Sequence, residues 1–187
     1  MFTITGKSNF PGFQVGEYQF GGFVYKTWNN GKNGRVVMAS DWNPEGRAAG
    51  LFQWQNGFCG LNLSNSMSDG LANTKALYNL SNPPVAQCQF LVGEDAWEFT
   101  RVNFDEWASN FGYGDWWLPA YDELQELYDL ANMPSPTGGD GGYYFSSTAN
   151  GVSGGGLSRG YALSFSTGIW TSFTNGDSAR VRLIREY

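Results

Sequence analysis

Few residues in this chain have the type and spacing to do chemistry. They are two cysteines, Cys59 and Cys88, and two adjacent carboxylate pairs, Asp105/Glu106 and Asp122/Glu123. To these the last quarter adds an alternating series, Trp170, Ser172 and Thr174. Histidine is absent altogether. That removes Ser-His-Asp and Cys-His catalysis and the commonest zinc ligand. A glycosidase needs two carboxyls facing each other about 5–9 Å apart across a cleft. Neighbouring positions on a helix point in different directions, so neither pair suits that role. Two cysteines are too few for a disulfide framework. They either form one bridge in an oxidising compartment or stay as small buried thiols. No catalytic residue emerges, and the chain is expected not to be an enzyme.

The Trp170 series suits recognition better. An aromatic anchor beside small hydroxyl side chains can stack on a sugar ring or pack on a protein partner. Arg159, Tyr161, Asn175, Asp177 and Arg180 fall at the rims of the adjoining loops. Together with Trp170, Ser172 and Thr174 they form the expected ligand-binding set. The plain alternative is that Trp170 is a second layer of core, since Trp is usually mostly buried.

At 187 residues the chain fits one compact domain with a sizeable core. Aromatics make up 17% and charged residues 15%, with 26 glycines, a composition of loop-rich β structure rather than a helical bundle. The net charge of −6 argues against nucleic acid, which needs a basic patch. Four arginines gather late (Arg159, Arg180, Arg182, Arg185), the last three on a strand where they can simply face solvent. Eleven of the 17 carboxylates lie between Glu94 and Asp140, most simply as a solvated helix face. No apolar run approaches the about 18 residues that cross a bilayer. No signal-peptide pattern opens the chain.

The elements that must position these residues follow from periodicity and turn chemistry. Residues 1–19 hold glycines and Pro11 among alternating apolar residues and read as an extended arm or assembly segment ahead of a domain at 20–187. Phe20–Trp28, the Asn29–Gly34 cluster and Arg35–Ser40 read as a hairpin. Asp41–Met67 lacks periodicity and reads as an ordered loop pinned by Trp42, Phe52, Trp54 and Phe58. A helix from Asp69 to Leu80 carries Leu77 and Leu80 on the face of Asn73 and Ala76, and Pro83-Pro84 stops it. Val85–Val92 suggests a second short helix. The helix after Pro119 is the clearest, with Asp122 and Glu123 in its first turn and Leu124, Leu127, Tyr128 and Leu130 on one side. Glycine-rich loops follow at Ser135–Gly142 and Gly151–Gly160. A three-stranded meander closes the chain: Tyr161–Phe165, a Ser-Thr-Gly turn, Ile169–Thr174, an Asn175-Gly176 turn, and Ala179–Ile184. Leu163, Phe165, Val181 and Leu183 mark its inner face, leaving Trp170, Ser172 and Thr174 on the outer one. Trp116 and Trp117, ahead of Leu118-Pro119, read as core.

Several of these segments occur together in a known order. They are Gly21-Gly-Phe-Val-Tyr, Gly34-Arg-Val-Val-Met-Ala-Ser-Asp, Leu71-Ala-Asn-Thr, Asp115-Trp-Trp-Leu-Pro-Ala-Tyr-Asp-Glu-Leu, Tyr144-Phe-Ser-Ser-Thr, Ala162-Leu-Ser-Phe-Ser-Thr-Gly and Arg180-Val-Arg. In this the chain resembles the C-terminal domain family of Lcl-type collagen-like adhesins, found in bacteria and phages. The resemblance implies an α+β, C-type lectin-like fold with two small antiparallel sheets, two or three helices and long ordered loops. Gly93–Ser109 is longer than the family's usual connection, and no collagen-like stalk is present. The implied role is a non-catalytic recognition domain, exposed on a bacterial surface or phage particle, that binds a host-surface carbohydrate or protein. The rival is a structural particle protein such as a capsid decoration or fibre head, for which a homo-oligomer, a trimer for instance, is expected. No cofactor is expected. Calcium is compatible with a lectin-like fold, but its usual Glu-Pro-Asn or Gln-Pro-Asp tripeptide is missing, and Asn43-Pro44-Glu45 reads as a turn. The formylglycine-generating enzymes of related fold use a closely spaced cysteine pair, whereas Cys59 and Cys88 are far apart in sequence.

Overall fold

The computed structural model of the chain describes residues 11–41, 52–54, 56–57, 65–81, 88–89, 116–130, 142–152, 158–174 and 177–187. Its elements begin with strands β1 (Tyr18–Gln19), β2 (Gly22–Trp28), β3 (Asn33–Met38), β4 (Phe52–Gln53) and β5 (Asn56–Gly57). Helix α1 (Gly70–Ser81), strand β6 (Cys88–Gln89) and helix α2 (Tyr121–Asp129) follow. The chain ends with β7 (Tyr143–Val152), β8 (Ser158–Ser164), β9 (Trp170–Phe173), β10 (Ser178–Ala179) and β11 (Ile184–Glu186). The architecture is α+β, with small antiparallel sheets and two helices among the described residues. One sheet has the order β1-β2-β3-β11 and another β7-β8-β9, while β4 pairs with β10 and β5 with β6.

The first hairpin turns at Asn29 and Asn30, whose φ angles of 52° and 55° place both in the left-handed region that asparagine tolerates best after glycine. Asn33-Gly34, expected in the turn, instead opens β3, with Asn33 opposite Trp28. Residues 11–19 lie along this sheet: Phe13 donates its N–H to the Gly31 carbonyl at 2.9 Å, and β1 forms the sheet's edge.

Helix α1 starts one residue later than expected, at Gly70, with Asp69 accepting the Ala72 N–H at 2.9 Å as its N-cap. Leu77 is buried, as are Asn73 and Thr74. The described parts of Asp41–Met67 include two short strands rather than loop alone, and within Val85–Val92 the residues Cys88–Gln89 are a strand rather than a helix. Backbone pairing of β4 with β10 and of β5 with β6 accounts for both corrections. The expected anchors Trp42 and Phe58, the Asn43-Pro44-Glu45 turn and the Gly93–Ser109 connection lie outside the described residues.

The C-terminal meander is also rearranged. The third strand of that sheet is β7, paired to β8 through Tyr144↔Leu163 and Phe145↔Ala162. After β9 the chain leaves the sheet. Ser178–Ala179 pairs with β4, Arg180 forms a parallel bridge to Tyr144, and Ile184–Glu186 pairs with β3. The last segment therefore stitches the two larger sheets together. The Ser-Thr-Gly turn stands as expected, with Gly168 donating its N–H to the Ser164 carbonyl at 2.8 Å.

Two hydrophobic clusters result, and adjacent residues divide between them. Val24, Val36, Trp116, Phe145, Ala162 and Leu183 belong to one cluster. Their immediate neighbours Tyr25, Val37, Trp117, Tyr144, Leu163 and Ile184 belong to the other. Both faces of the strand layer are thus covered, one by Trp54 and Leu77 and the other by Leu124 and Leu127 of α2. The Trp116-Trp117 pair is core, each only 4% exposed. Arg182 and Arg185, expected to face solvent, are buried instead at 4% and 8% exposure, because this final segment runs through the centre of the layer.

Gly160 marks the tightest approach in the first cluster. A Cβ there would sit 2.3 Å from the Trp54 ring carbons Cδ2 and Cε3, and Trp54 is fully buried. Gly160→Ala should therefore destabilise by about 1–3 kcal/mol through overpacking. Urea unfolding reads this directly; an unchanged midpoint would mean the indole shifts freely.

Candidate functional site

A carboxylate at the start of α2 organises the site. Glu123 is 3% exposed. Its Oε1 meets Arg35 Nη1 at 2.8 Å. Its Oε2 accepts the Ala120 N–H at 2.8 Å, the Gly70 N–H at 3.2 Å and the Trp117 indole N–H at 3.4 Å. The Ala120 contact is the carboxylate half of a capping box. Burial pushes the Glu123 carboxyl above the usual carboxylate range, against these donors, which favour its ionised form. Burial also works against the Arg35 charge, but Glu123, then Tyr25 and Glu186, hold that guanidinium above its ordinary value. Glu123 is therefore not part of a solvated helix face, whereas its neighbour Asp122 is exposed.

Three sequence motifs meet around this point. Thr74 of α1 accepts the Leu118 N–H at 3.1 Å. Ser147 donates its backbone N–H to the Pro119 carbonyl at 2.8 Å, and Thr148 Oγ1 accepts the Tyr121 N–H at 2.9 Å. The free N–H groups of the first turn of α2 thereby find partners, Asp122 bonding the Met67 carbonyl at 2.8 Å. A cleft of about 540 Å³ opens beside the Arg35–Glu123 pair, with Asp69, Leu71, Trp117 and Glu186 along its walls.

Fixing the start of α2 also fixes Tyr121 and Gln125, one turn apart on the side facing the β8–β9 ribbon. The Tyr121 ring stacks on Trp170 with centroids 3.7 Å apart and planes 15° from parallel. Tyr161 meets Tyr121 edge-on at 5.1 Å and Trp170 at 6.1 Å. The Trp170 indole N–H donates to Gln125 Oε1 at 2.7 Å. All three rings are half-buried. Ser172, directly opposite Tyr161 in the β8–β9 ladder, is hydrogen-bonded by the Asn150 amide.

The structure thus brings Tyr161, Trp170 and Ser172 together. Trp170 does not lie opposite in facing to Leu163, as the alternation suggested. The register pairs it with Leu163, so both point to the same side, beneath α2. That face is core at its Leu163 end and opens to solvent toward Tyr161 and Ser172. Arg159, two residues before Tyr161 on β8, is half-buried on the same side. Thr174 and Asp177 close a turn on themselves, Asp177 Oδ2 accepting the Thr174 N–H at 2.7 Å. Arg180 is drawn elsewhere, to Asp41, with Nη1 and Oδ2 3.0 Å apart. Asn175, Asp105, Glu106 and Cys59 lie outside the described residues, and of Cys88 only the backbone is described.

Sequence reasoning missed Tyr121, Gln125 and Asn150. The first two had a signal, their i, i+4 spacing beside the Leu124 stripe; Asn150 had none. It also missed Asp41, which accepts the Tyr144 hydroxyl at 2.9 Å and lies 3.4 Å from Arg182 Nε. Among the described residues no three His, Cys, Asp or Glu side chains converge in a way that could hold a metal ion, and no helix is long and apolar enough to cross a membrane. A scan against protein-family models finds no match to the chain, and a search of curated protein sequences finds none either.

Removing the Glu123 carboxylate leaves Arg35 and two backbone amides short of an acceptor. Glu123→Ala should cost about 3 kcal/mol in chemical unfolding, the lower end for breaking a buried pair. The lower end applies because Arg35 is 20% exposed and keeps Glu186. Glu123→Gln, which retains an acceptor, should lose less.

Burial, and next the Asp41 charge, push the Tyr144 hydroxyl above the ordinary tyrosine range. A group raised on folding contributes stability that is intact below its unfolded pKa of about 10 and lost as pH rises through the folded value. Tyr144→Phe should accordingly flatten the fall in unfolding free energy as pH rises above about 10. A fall as steep as in the parent protein would contradict this.

Proposed function

We propose that the chain is a non-catalytic recognition domain of C-type lectin-like architecture, related to the Lcl-type C-terminal domain family. It acts on a bacterial surface or a phage particle and binds a host-surface carbohydrate or protein. The observation that carries this reading is the interlocked Tyr121–Tyr161–Trp170 cluster at the open end of the β8–β9 face. Rings already held by stacking lose little side-chain freedom when a ligand covers them. Their faces and edges suit the apolar side of a pyranose or an apolar protein side chain. Ser172, Asn150 and Gln125 supply donors and acceptors at the margin, the mixture of aromatic and small polar groups used by recognition surfaces. The meeting of the Leu-Ala-Asn-Thr, Trp-Leu-Pro and Ser-Ser-Thr segments at one helix start supports the family relationship, since these residues depend on one another to satisfy their hydrogen bonds.

A glycan array and a host-surface protein screen, each run with and without calcium, should yield a ligand whose affinity falls by about 2 kcal/mol in Tyr161→Ala, the scale of an interface hot spot. Near-UV circular dichroism should show that variant folded. Trp170→Ala should weaken binding as well and also lower stability, because it removes the stack on Tyr121. Full affinity in both variants would sink this reading. A stable trimer with the cluster buried between copies would favour the structural particle protein instead.

A further inference from the structure

At the C-terminal end of α2 the side-chain charges run against the helix. The carbonyls that end a helix favour cations, yet the last turn of α2 holds Glu126 and Asp129 and no basic residue. Lys26, reaching across from β2, meets Glu126 Oε1 at 2.5 Å. Glu126 Oε2 is withdrawn from solvent and accepts no hydrogen bond. Asp129 Oδ1 takes the Gln125 amide at 2.9 Å, a neutral donor that does not balance its charge.

Glu126 and Asp129 line a recess of about 290 Å³ whose other walls are Tyr25, Lys26 and Leu130. Tyr25 is only 1% exposed, and its hydroxyl has no partner in hydrogen-bonding geometry. Arg35 acts on that hydroxyl through its charge, which Glu123 and Glu186 in turn meet. Burial pushes the hydroxyl above the ordinary tyrosine range, so it stays neutral and keeps a lone pair and a proton to share. A buried carboxylate oxygen and a buried hydroxyl, both short of partners, are unfavourable unless something else meets them. Here their residues share the wall of one recess.

We propose that this recess binds a primary alkylammonium group, its N–H donors on Glu126 Oε2, the Tyr25 hydroxyl and the Asp129 carboxylate, and its alkyl chain against Leu130. An ammonium is a point charge with three rotatable donors, suited to acceptors that lie on separate residues. A guanidinium fork matches both oxygens of one carboxylate, whereas Glu126 and Asp129 each have an oxygen already engaged. Set against Lys26, the two carboxylates leave one negative charge, which a single ammonium balances. A calcium ion needs more oxygen ligands than two carboxylates and a phenol offer. The ammonium can come from a lysine side chain of a protein partner or from a small free amine. This site is separate from the aromatic cluster and does not depend on what that cluster binds.

Chemical-shift titration of the intact, isotope-labelled protein tests this with butylammonium, butanol and butyltrimethylammonium. Butylammonium should shift the amides of Lys26, Glu126 and Leu130. It should bind on the order of tenfold more tightly than butanol, the scale of one charge-assisted hydrogen bond. Glu126→Gln should remove most of that preference. Tyr25→Phe deletes a hydroxyl that has no partner, so it should leave folding intact and weaken butylammonium severalfold. A second comparison separates the sources. Nα-acetyl-lysine methylamide binding at least as tightly as putrescine assigns the ammonium to a lysine side chain, and weaker binding assigns it to a free amine. Butylammonium no tighter than butanol, or unchanged affinity in both variants, overturns the proposal. So does equal binding of butyltrimethylammonium, which would mean a plain attraction of cations to an acidic surface. No shift at those amides would mean the recess holds only water, and the proposal falls while the recognition reading stands.

Discussion

A carboxylate withdrawn from water holds this protein's architecture to narrow tolerances. Glu123 is stable in its place only while donors surround it, and those donors come from three separate stretches of chain: Arg35 on β3, Gly70 at the head of α1, and Trp117 with Ala120 just before α2. Each must stay within hydrogen-bonding distance, because an unpaired buried charge is far costlier than a lost surface contact. Gly70 shows how close the approach is. A Cβ there would lie 2.4 Å from Glu123 Oε2 and 2.5 Å from the Leu118 carbonyl oxygen, so no larger residue fits without moving a helix start.

Fixing the beginning of α2 transmits order to the opposite side of the helix. Leu124 and Leu127 then cover Tyr144 and Leu163, while Tyr121 and Gln125 reach over Trp170. The β7-β8-β9 sheet is squeezed between this helix and the cluster containing Trp54 and Phe145. Its outer end escapes cover, leaving a half-exposed aromatic surface on a fully packed base. A surface built this way is held in place by the packing beneath it rather than by anything in its own residues.

How much of this was legible in the sequence depended on distance along the chain. The first hairpin, the helix beginning near Asp69, the Pro119 helix and the Ser-Thr-Gly turn are local events governed by a few neighbouring residues, and they were readable. The identity of the third strand was not, because β7 precedes a glycine-rich connection and nothing local favours it over Ala179–Ile184. The facing of Trp170 failed for a different reason. Alternation discriminates inside from outside only when one face is wet, and here Ala162 and Leu163, or Tyr144 and Phe145, are both buried on opposite sides. Glu123 looked like one member of an acidic helix because charge patterning cannot reveal a partner on β3. Arg182 looked solvent-facing on the same ground, yet it lies beside Asp41 at the centre of the layer.

The division of labour among residues bears on what resemblance can teach. Asn73, Thr74, Trp117, Leu118, Glu123, Ser147 and Thr148, which fall in the motifs quoted for the resemblance, are all buried. Of the surface cluster only Tyr121 falls within a motif; Asn150, Arg159, Tyr161, Trp170 and Ser172 lie outside them. A scaffold whose internal hydrogen bonds must all be satisfied tolerates little change, whereas half-exposed positions on its rim can vary without unfolding it. Likeness in the motifs therefore speaks to the framework and not to the half-exposed positions around it.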